Sequence, residues 1–259
     1  MRSRTLARAT YYANAMNYMK KMLFITALLA VALLSLEAKP IKLLVMTKTT
    51  GYRHQSIAAA KQALQLMAKQ NHWQIVFTED STQFNSYKNL KHYNAIIFAG
   101  TTGSLFDSIQ KASFKKYIQK GGGFVGIHTT TDTEMDWPWY MQMIGAKFKS
   151  HPKQQQASFR VVDTTHPSTK MLPSTWSRFD ELYNFTDTLN KNIHVLIDLD
   201  ESTYQGGTMG AHHPIAWYQY FEGGRIFQTA LGHTNESYQE ELFLQHITGG
   251  ILWAIQVTK

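Results

Sequence analysis

Histidine side chains stand beside several short apolar segments of this sequence, at positions where a strand would begin or end. Three of them, His54, His128 and His233, each follow such a segment, and His213 immediately precedes another. Imidazole titrates near neutral pH, so it can act as a general acid or base, and it also binds divalent metals such as zinc. These residue types therefore predict acid–base chemistry, metal-assisted chemistry or both.

Several other kinds of catalytic site are excluded by the composition and motifs. The chain has 259 residues and no cysteine, which excludes a cysteine nucleophile, a thiolate metal site and a disulfide scaffold. It has no Gly-x-Ser-x-Gly motif, and His128 stands where a hydrolase of that class would have its nucleophile. It also has no His-Glu-x-x-His motif, so metal ligands would have to come from separate loops, with His151 as a further contributor.

The elements that must position these residues alternate between strands and helices in the first half of the chain. Strands are predicted at Ile41–Met46, Trp73–Thr78, Ala95–Phe98 and Phe124–Ile127, with helices after Ser56 and over Ser108–Lys120. Strands alternating with helices at this spacing predict a parallel sheet that is covered on both faces. Ligands of such sheets bind beyond the carboxyl ends of the strands. We therefore expect the histidines from separate loops to meet at one edge of the sheet.

The second half of the chain is richer in strands. They are predicted at Phe159–Asp163, Phe179–Asn184, His194–Leu199, Pro214–Tyr220 and Gly224–Ala230, followed by a closing helix at Ser237–Ile255. The last two strands flank a Glu-Gly-Gly turn and predict a hairpin. We therefore predict one flavodoxin-like α/β domain over residues 39–259. Its sheet is mostly parallel, with helices on both faces and an antiparallel extension.

The charge distribution excludes a nucleic-acid binder. The formal net charge is +8, but residues 1–38 hold five basic residues and one acidic residue. The remaining 221 residues therefore hold 21 basic and 17 acidic side chains, a net charge of +4 without a run of like charges. A basic patch or stripe is the electrostatic signature of proteins that bind DNA or RNA.

The N-terminal segment has the pattern of a secretory signal. Lys20 and Lys21 precede an apolar run, Met22–Leu36, which closes on Glu37 and Ala38. This run is shorter than the roughly 20 residues that a transmembrane helix needs, although a retained N-terminal anchor stays open as an alternative. We expect residues 1–38 to be upstream sequence and a signal peptide, the latter at about 16–38. The mature protein is then periplasmic or secreted, without a stable membrane span.

Taken together, the motifs resemble those of the ThuA-like family, which is named for trehalose utilisation. The matching blocks are Thr47–Ile57, Gly121–His128, Phe148–Pro152, Asp180–Phe185, His213–Trp217 and Leu231–Thr234. The resemblance extends from about Ile41 to Trp253. It implies a fold like that of class I glutamine amidotransferases. In those enzymes a cysteine nucleophile occupies the position of His128, so the resemblance also implies that this chain is not an amidotransferase.

The resemblance further implies a role in the use of disaccharides and other glycosides, including keto-sugars. Our hypothesis is an enzyme that hydrolyses or eliminates a glycoside or keto-sugar, with His128 as the central acid or base. His233 and Glu181 would be its charge partners or metal ligands, and Arg53 with His54 would polarise a substrate oxygen. Candidate substrate contacts are Thr101, Asp132, Glu134, Trp137, His151, Tyr183 and His213.

Three alternatives stay open at this point. A divalent metal such as zinc is not required by the sequence, and its candidate ligands are His128, His233 and His213. Trp137 can either stack on a sugar ring or pack its loop onto the core. A non-enzymatic sugar-binding module would use the same residues. In each case the partner is a small saccharide or glycoside, and the oligomeric state is left undetermined.

Overall fold

The computed structural model describes residues 16–24, 40–186 and 189–255. The chain divides into two compact units, Met1–Pro40 and Ile41–Lys259. In the first unit, residues 16–24 form helix α1. Most of the predicted signal segment lies outside the described residues. Among the described residues, no helix combines the length and the apolar character needed to cross a membrane.

The second unit contains eleven strands and five α-helices within its described residues. The strands are β1 Lys42–Met46, β2 Gln74–Thr78, β3 Ala95–Ala99, β4 Gly123–Ile127, β5 Phe148–Ser150, β6 Gln155–Val161, β7 Thr175–Asp180, β8 Asn184–Phe185, β9 His194–Asp200, β10 Pro214–Phe221 and β11 Gly224–Thr229. The helices are α2 Ile57–Gln70, α3 Tyr87–Leu90, α4 Ser108–Gln119, α5 Pro138–Ile144 and α6 Glu241–Ala254.

Nine of the strands form one mixed sheet in the order β2-β1-β3-β4-β11-β10-β9-β6-β7, and β5 pairs with β8. The pairs from β2 to β11 are parallel. The pairs from β11 to β7 are antiparallel. The predicted α/β fold, with a parallel sheet and an antiparallel extension, is confirmed.

Helices cover both faces of the parallel half, because the side chains of its strands alternate between two apolar cores. On β1, Leu43 and Val45 pack into the core that includes α2 and α6. Leu44 and Met46 point the other way, into the core that includes α4 and α5. All four side chains are at most 1% exposed. Burial on both faces explains why this strand is an unbroken apolar run in the sequence.

One edge of the sheet collects the ends of most strands. Strands β1 to β4, β7, β9 and β11 all end at this edge, whereas β6 and β10 begin there, as the pairing directions require. The sheet also curls, so that the end of β7 meets the loop after β11. Asp180, the last residue of β7, accepts hydrogen bonds from the backbone N–H groups of Gly232 at 2.9 Å and His233 at 3.0 Å.

Three predicted boundaries in the second half are wrong. The closing helix α6 begins at Glu241 and not at Ser237, because Glu236–Gln239 form a separate 3-10 turn and the backbone of Glu240 is extended. The predicted strand Phe179–Asn184 is in fact the end of β7 and the start of β8. The reason is local, since the Asp180 carboxylate accepts a hydrogen bond from the N–H of Glu181 at 2.9 Å and turns the chain out of the ladder. The strand predicted at Phe159–Asp163 is β6, which begins at Gln155. Its first residues include exposed polar side chains, so hydropathy did not indicate the start of the strand.

Candidate functional site

His128 stands on a strained turn directly after β4. Its backbone has φ 64° and ψ −99°, a left-handed conformation that is uncommon for a residue with a side chain. The turn is held by a hydrogen bond from the His128 N–H to the carbonyl of Thr229, at 2.8 Å. This is the strand-to-loop elbow that lifts one side chain above the edge of an α/β sheet.

The imidazole of His128 is held in one tautomer. Its Nδ1 lies 3.0 Å from the carbonyl oxygen of Ala230, which can only accept, so Nδ1 must carry the proton. The lone pair of Nε2 then points toward two groups, His233 Nδ1 at 3.1 Å and Glu181 Oε2 at 3.6 Å. A backbone carbonyl behind one ring nitrogen is the usual device that orients a metal-binding or proton-accepting histidine.

Glu181 and His233 complete a triangle of donor atoms with His128. Glu181 Oε2 lies 2.9 Å from His233 Nδ1. Glu181 follows β7 and His233 follows β11, so the curl of the sheet is what brings them together. His128 is fully buried and Glu181 is 4% exposed, whereas the side chain of His233 is 16% exposed. The triangle is therefore reached from solvent on the His233 side.

His54, from the loop between β1 and α2, is the fourth member of this cluster. Its ring lies edge-on to the rings of His128 and His233, with centroids 4.7 and 5.0 Å away. His54 is 7% exposed, and its buried Nδ1 has no hydrogen-bond partner among the described residues. A buried polar atom without a partner is costly, so this ring nitrogen is one that a bound ligand would satisfy.

The protonation states suit metal binding. Burial lowers the pKa of His54 to about 3 and that of His128 to about 4, so both rings are neutral at pH 7 and offer lone pairs. Burial alone would raise the pKa of Glu181. The hydrogen bond from His233 and the charges of neighbouring histidines outweigh burial and lower that pKa below its ordinary value, so Glu181 is a carboxylate.

The donor atoms lie close to the spacing that a small divalent cation requires. One ligand atom from each of His54, His128, Glu181 and His233 lies within 4.8 Å of every other. A zinc ion holds tetrahedral ligands at about 2.0–2.2 Å, which sets them roughly 3.3–3.6 Å apart. Within the triangle of His128, Glu181 and His233, the separations are 2.9, 3.1 and 3.6 Å, so the two shorter ones would lengthen slightly around an ion. Three imidazoles and one carboxylate also match the ligands that zinc prefers.

Side chains that were absent from our predicted site support this cluster. Gln154 Nε2 lies 2.6 Å from His233 Nε2. The Gln154 amide can donate from its NH2 group to an unprotonated Nε2 of His233. If Nε2 carries the proton, rotation of the amide lets its oxygen accept that proton's hydrogen bond. Beneath the cluster, Asp180 accepts the backbone N–H groups of Glu181 and His233, and Arg178 Nη2 lies 3.1 Å from Asp180 Oδ2. Asp180 lies in the block Asp180–Phe185, which resembles the ThuA-like family, so the sequence could have indicated it. No motif in the sequence indicated Gln154.

His151, Tyr183 and Asp132, all predicted as substrate contacts, surround the cluster. His151 Nδ1 lies 2.9 Å from the Pro152 carbonyl oxygen and 3.2 Å from Glu181 Oε1, two acceptors that place the proton on Nδ1. The ring of Tyr183 lies 5.0 Å from that of His128. Burial, and then the charges of Glu181 and Asp132, raise the pKa of Tyr183 well above 10. Burial raises the pKa of Asp132 itself.

Arg53 and His213 are engaged with other residues. Arg53 forms a two-pronged ion pair with Glu79, with nitrogen–oxygen distances of 2.8 and 3.1 Å. His213 is fully buried, with Nδ1 2.8 Å from Glu201 Oε1 and Nε2 2.7 Å from the carbonyl oxygen of Tyr183. Both ring nitrogens of His213 are therefore in use, and this candidate metal ligand lies outside the four-residue cluster.

Thr101, Glu134 and Trp137 contact protein groups as well. Thr101 is fully buried. Glu134 Oε1 accepts two backbone N–H groups, and its Oε2 pairs with Lys111 at 2.8 Å. The ring of Trp137 packs against the second apolar core, and the Lys111 ammonium lies 5.3 Å from its centroid. The geometry matches the packing interpretation of Trp137.

Comparisons with known proteins give a consistent result. A family model described as ThuA, trehalose utilisation, matches residues 42–254. A search of curated proteins finds no match. A solved ThuA-like protein from Bacteroides uniformis is 25% identical, with 84% of this chain and 93% of that one covered and a TM-score of 0.71. A ThuA-like protein from Parabacteroides merdae is 21% identical, with 83% and 90% covered and a TM-score of 0.68.

The fold is also shared more widely. A β-galactosidase from Bacillus circulans is 14% identical, with a TM-score of 0.53. The match covers 84% of this chain but 31% of that one, so this likeness concerns the fold of one part of the larger enzyme.

Proposed function

The chain belongs to the ThuA family, and we propose that it is a carbohydrate-processing enzyme whose reaction centre is the cluster of His54, His128, Glu181 and His233. The substrate is a glycoside or a keto-sugar, which is hydrolysed or undergoes elimination. The family's description, trehalose utilisation, supports the substrate class. The single observation that carries the proposal is the convergence of four buried or nearly buried donor atoms within 4.8 Å.

Within this proposal the four residues hold a divalent metal ion such as zinc. A bound ion of this kind polarises an oxygen of the substrate or of water as a Lewis acid. His128 contributes Nε2, since its Nδ1–H is directed to the Ala230 carbonyl. His54 contributes a lone pair that no described residue uses at Nδ1. Glu181 supplies a negative charge, which imidazole ligands lack.

Proton transfer in this proposal is assigned to His151. Its Nδ1–H faces Glu181 Oε1 and the Pro152 carbonyl, which leaves Nε2 as the nitrogen that accepts a proton. The side chain is 44% exposed, so this nitrogen can exchange its proton with water after each turnover. Asp132 would accept a hydrogen bond from a sugar hydroxyl. The predicted signal segment supports a periplasmic or secreted location, which we include in the proposal.

The test combines metal analysis with turnover. Protein purified without a histidine tag is supplied with zinc, dialysed and analysed for metal, then incubated with glycosides and their 3-keto derivatives. We expect about one ion per chain. His128→Asn removes one of the four proposed ligands, so it should lose most of the ion and most of the turnover. Asparagine is, like histidine, one of the residues most often found at positive φ, which limits the risk of misfolding.

The matched control is His212→Ala. His212 is 65% exposed and lies 3.5 Å from Asp198, so it is also a histidine beside a carboxylate, but outside the cluster. Its replacement should leave metal content and turnover unchanged. Saccharide binding without any product would contradict the enzymatic proposal in favour of a binding module. Turnover that persists in His128→Asn would contradict the assigned centre.

A further inference from the structure

A polar cavity opens directly beside the cluster. Its volume is about 860 Å³, and His233 forms part of its wall. The other walls come from the loop between β1 and α2, the start of β6, the end of β7 and the turn that follows His233. Sites for small molecules commonly have volumes of about 300–1,000 Å³, so this cavity has room for more than one sugar ring.

We propose that this cavity binds uncharged sugar units of an oligosaccharide or glycoside, next to the bond that reacts at the cluster. This inference rests on the proposed function, because it takes the cluster as the reaction centre. To the proposed function the inference adds a substrate class, which is a neutral saccharide with at least two rings. It also adds the residues that select this substrate.

The lining supplies the hydrogen-bonding groups that sugar hydroxyls need. It is rich in side-chain amides and hydroxyls, among them Gln55, Gln154, Gln156, Ser177, Thr234 and Asn235. An amide offers both donors and an acceptor, and a hydroxyl offers both as well. A sugar hydroxyl likewise donates one hydrogen bond and accepts others. A lining of neutral groups with this dual character suits polyhydroxylated ligands.

Two exposed aromatic rings supply surfaces for the apolar faces of sugar rings. Phe179 is 50% exposed and Tyr52 is 66% exposed, and both line the cavity. Phe179 on β7 pairs directly with Gln156 on β6, so the aromatic ring and the amide project from the same face of the sheet. A saccharide lying here would contact the ring with its C–H groups and the amide with its hydroxyls.

The charges of the wall favour an uncharged ligand. Of the described residues that line the cavity, Arg178 is the one with a permanent positive charge, and it is 4% exposed. Its charge is already balanced by Asp180 at 3.1 Å and Glu240 at 3.4 Å. Glu236 and Glu240 also line the cavity. A phosphate or carboxylate on the sugar would therefore meet acidic side chains without a cation to neutralise it.

A ligand in the cavity would also reach the reaction centre. Gln154 lines the cavity and its amide lies 2.6 Å from His233 Nε2. The same side chain therefore contacts the bound sugar and the outer nitrogen of a cluster histidine. A sugar unit bound in the cavity would therefore lie beside His233, the cluster residue that forms part of its wall.

The test is isothermal titration calorimetry with maltotriose, cellotriose and trehalose as neutral probes and trehalose 6-phosphate as the charged probe. Protein carrying His128→Asn prevents turnover during the titration. We expect at least one neutral probe to bind at millimolar concentrations and trehalose 6-phosphate not to bind. Adding Phe179→Ala should weaken binding by about fivefold to tenfold, the usual effect of losing one aromatic contact. Gln156→Leu, which keeps the size but removes the amide, should also weaken it.

The matched control is Tyr220→Ala. Tyr220 is another exposed aromatic residue, 60% exposed on β10, and it does not line this cavity. Its replacement should leave saccharide binding unchanged. The proposal is overturned if no neutral probe binds, if Phe179→Ala and Gln156→Leu bind as the parent does, or if trehalose 6-phosphate binds as tightly as the neutral probes.

Failure of this inference is distinguishable from failure of the proposed function. If the cluster is not catalytic, saccharide binding in the cavity persists, the cavity variants weaken it, and no product forms. If the cluster is catalytic but the cavity does not bind sugar, Phe179→Ala turns over substrate with unchanged KM. If both proposals hold, this variant raises KM, changes kcat little and retains its metal.

Discussion

Replacing Asp180 by asparagine tests how the cluster is held in place. Asp180 is fully buried, and its Oδ1 accepts the backbone N–H groups of Glu181 at 2.9 Å and His233 at 3.0 Å. Its Oδ2 accepts the N–H of Gly232 at 2.9 Å and pairs with Arg178 at 3.1 Å. One carboxylate therefore fixes the backbone at two cluster residues from distant parts of the chain. Asparagine has the same shape but only one acceptor atom.

The expected cost follows from these contacts. If the asparagine oxygen takes the place of Oδ1, its NH2 group faces the N–H of Gly232 and the guanidinium of Arg178, which are both donors. One hydrogen bond to a charged acceptor is lost, worth about 1.5–3 kcal/mol. Arg178 also loses its most buried counter-charge, and removing one partner of a buried pair costs about 3–5 kcal/mol in all. Since Glu240 remains 3.4 Å from Arg178, we expect about 3–4 kcal/mol.

Urea unfolding followed by fluorescence measures this loss. Asp198→Asn is the matched control, because Asp198 is also buried but pairs with Arg160, whose side chain is 64% exposed. That pair should contribute no more than about 1 kcal/mol. Zinc affinity gives a second measurement, since groups that orient metal ligands typically affect affinity by about 10–100-fold. If Asp180→Asn costs no more than the control and binds zinc equally well, our reasoning about this support is refuted.

Two further predictions concern pH and metal. Burial lowers the pKa of His246 to about 3, against 6.5 when it is exposed, so the unfolded chain binds the extra proton between these values. The free energy of unfolding, measured by urea unfolding, should therefore fall as pH drops below 6.5. His246→Gln should reduce the slope of that free energy against pH, between pH 6 and pH 5, by about 1.4 kcal/mol per pH unit. Equal slopes in the parent and the variant would contradict this. Zinc at about 100 times its Kd should stabilise the protein by about 2.7 kcal/mol, measured by thermal unfolding. Glu181→Gln should lose most of this stabilisation at the same zinc concentration. An equal stabilisation of this variant would argue against Glu181 as a ligand.

The fold was predictable because a strand that is buried on both faces is a short, continuous apolar run in the sequence. Apolar runs such as Ala95–Phe98 are too short for helices and are bounded by turn residues, so they predict buried strands. The meeting of His54, His128 and His233 follows from the same logic, because parallel strands end at a common edge. The structure places the ring of His54 4.7 Å from that of His128 and 5.0 Å from that of His233.

Side-chain partners could not be predicted in this way. Arg53 and Glu79 lie 26 positions apart, and only the pairing of β1 with β2 shows that the loops after these strands are neighbours. Gln154 precedes a strand whose exposed face is polar throughout, so the sequence does not distinguish it from its neighbours. The boundary of β7 was missed because the turn at Asp180 depends on a hydrogen bond to its own neighbour, which hydropathy does not register.

The two halves of the sheet make different contributions to the proposed site. The parallel half supplies imidazoles, because His54, His128 and His233 follow β1, β4 and β11. The antiparallel half supplies the carboxylate of Glu181 and both strands that wall the cavity. The carboxylate adds a negative charge that imidazole ligands lack, and a cavity without the histidines has no reaction centre. In the proposed function, the curl that brings the end of β7 to the loop after β11 therefore puts the sugar-binding cavity beside the reaction centre. Asp180 holds the two halves of the sheet together at that point, through hydrogen bonds from the N–H groups of Gly232 and His233.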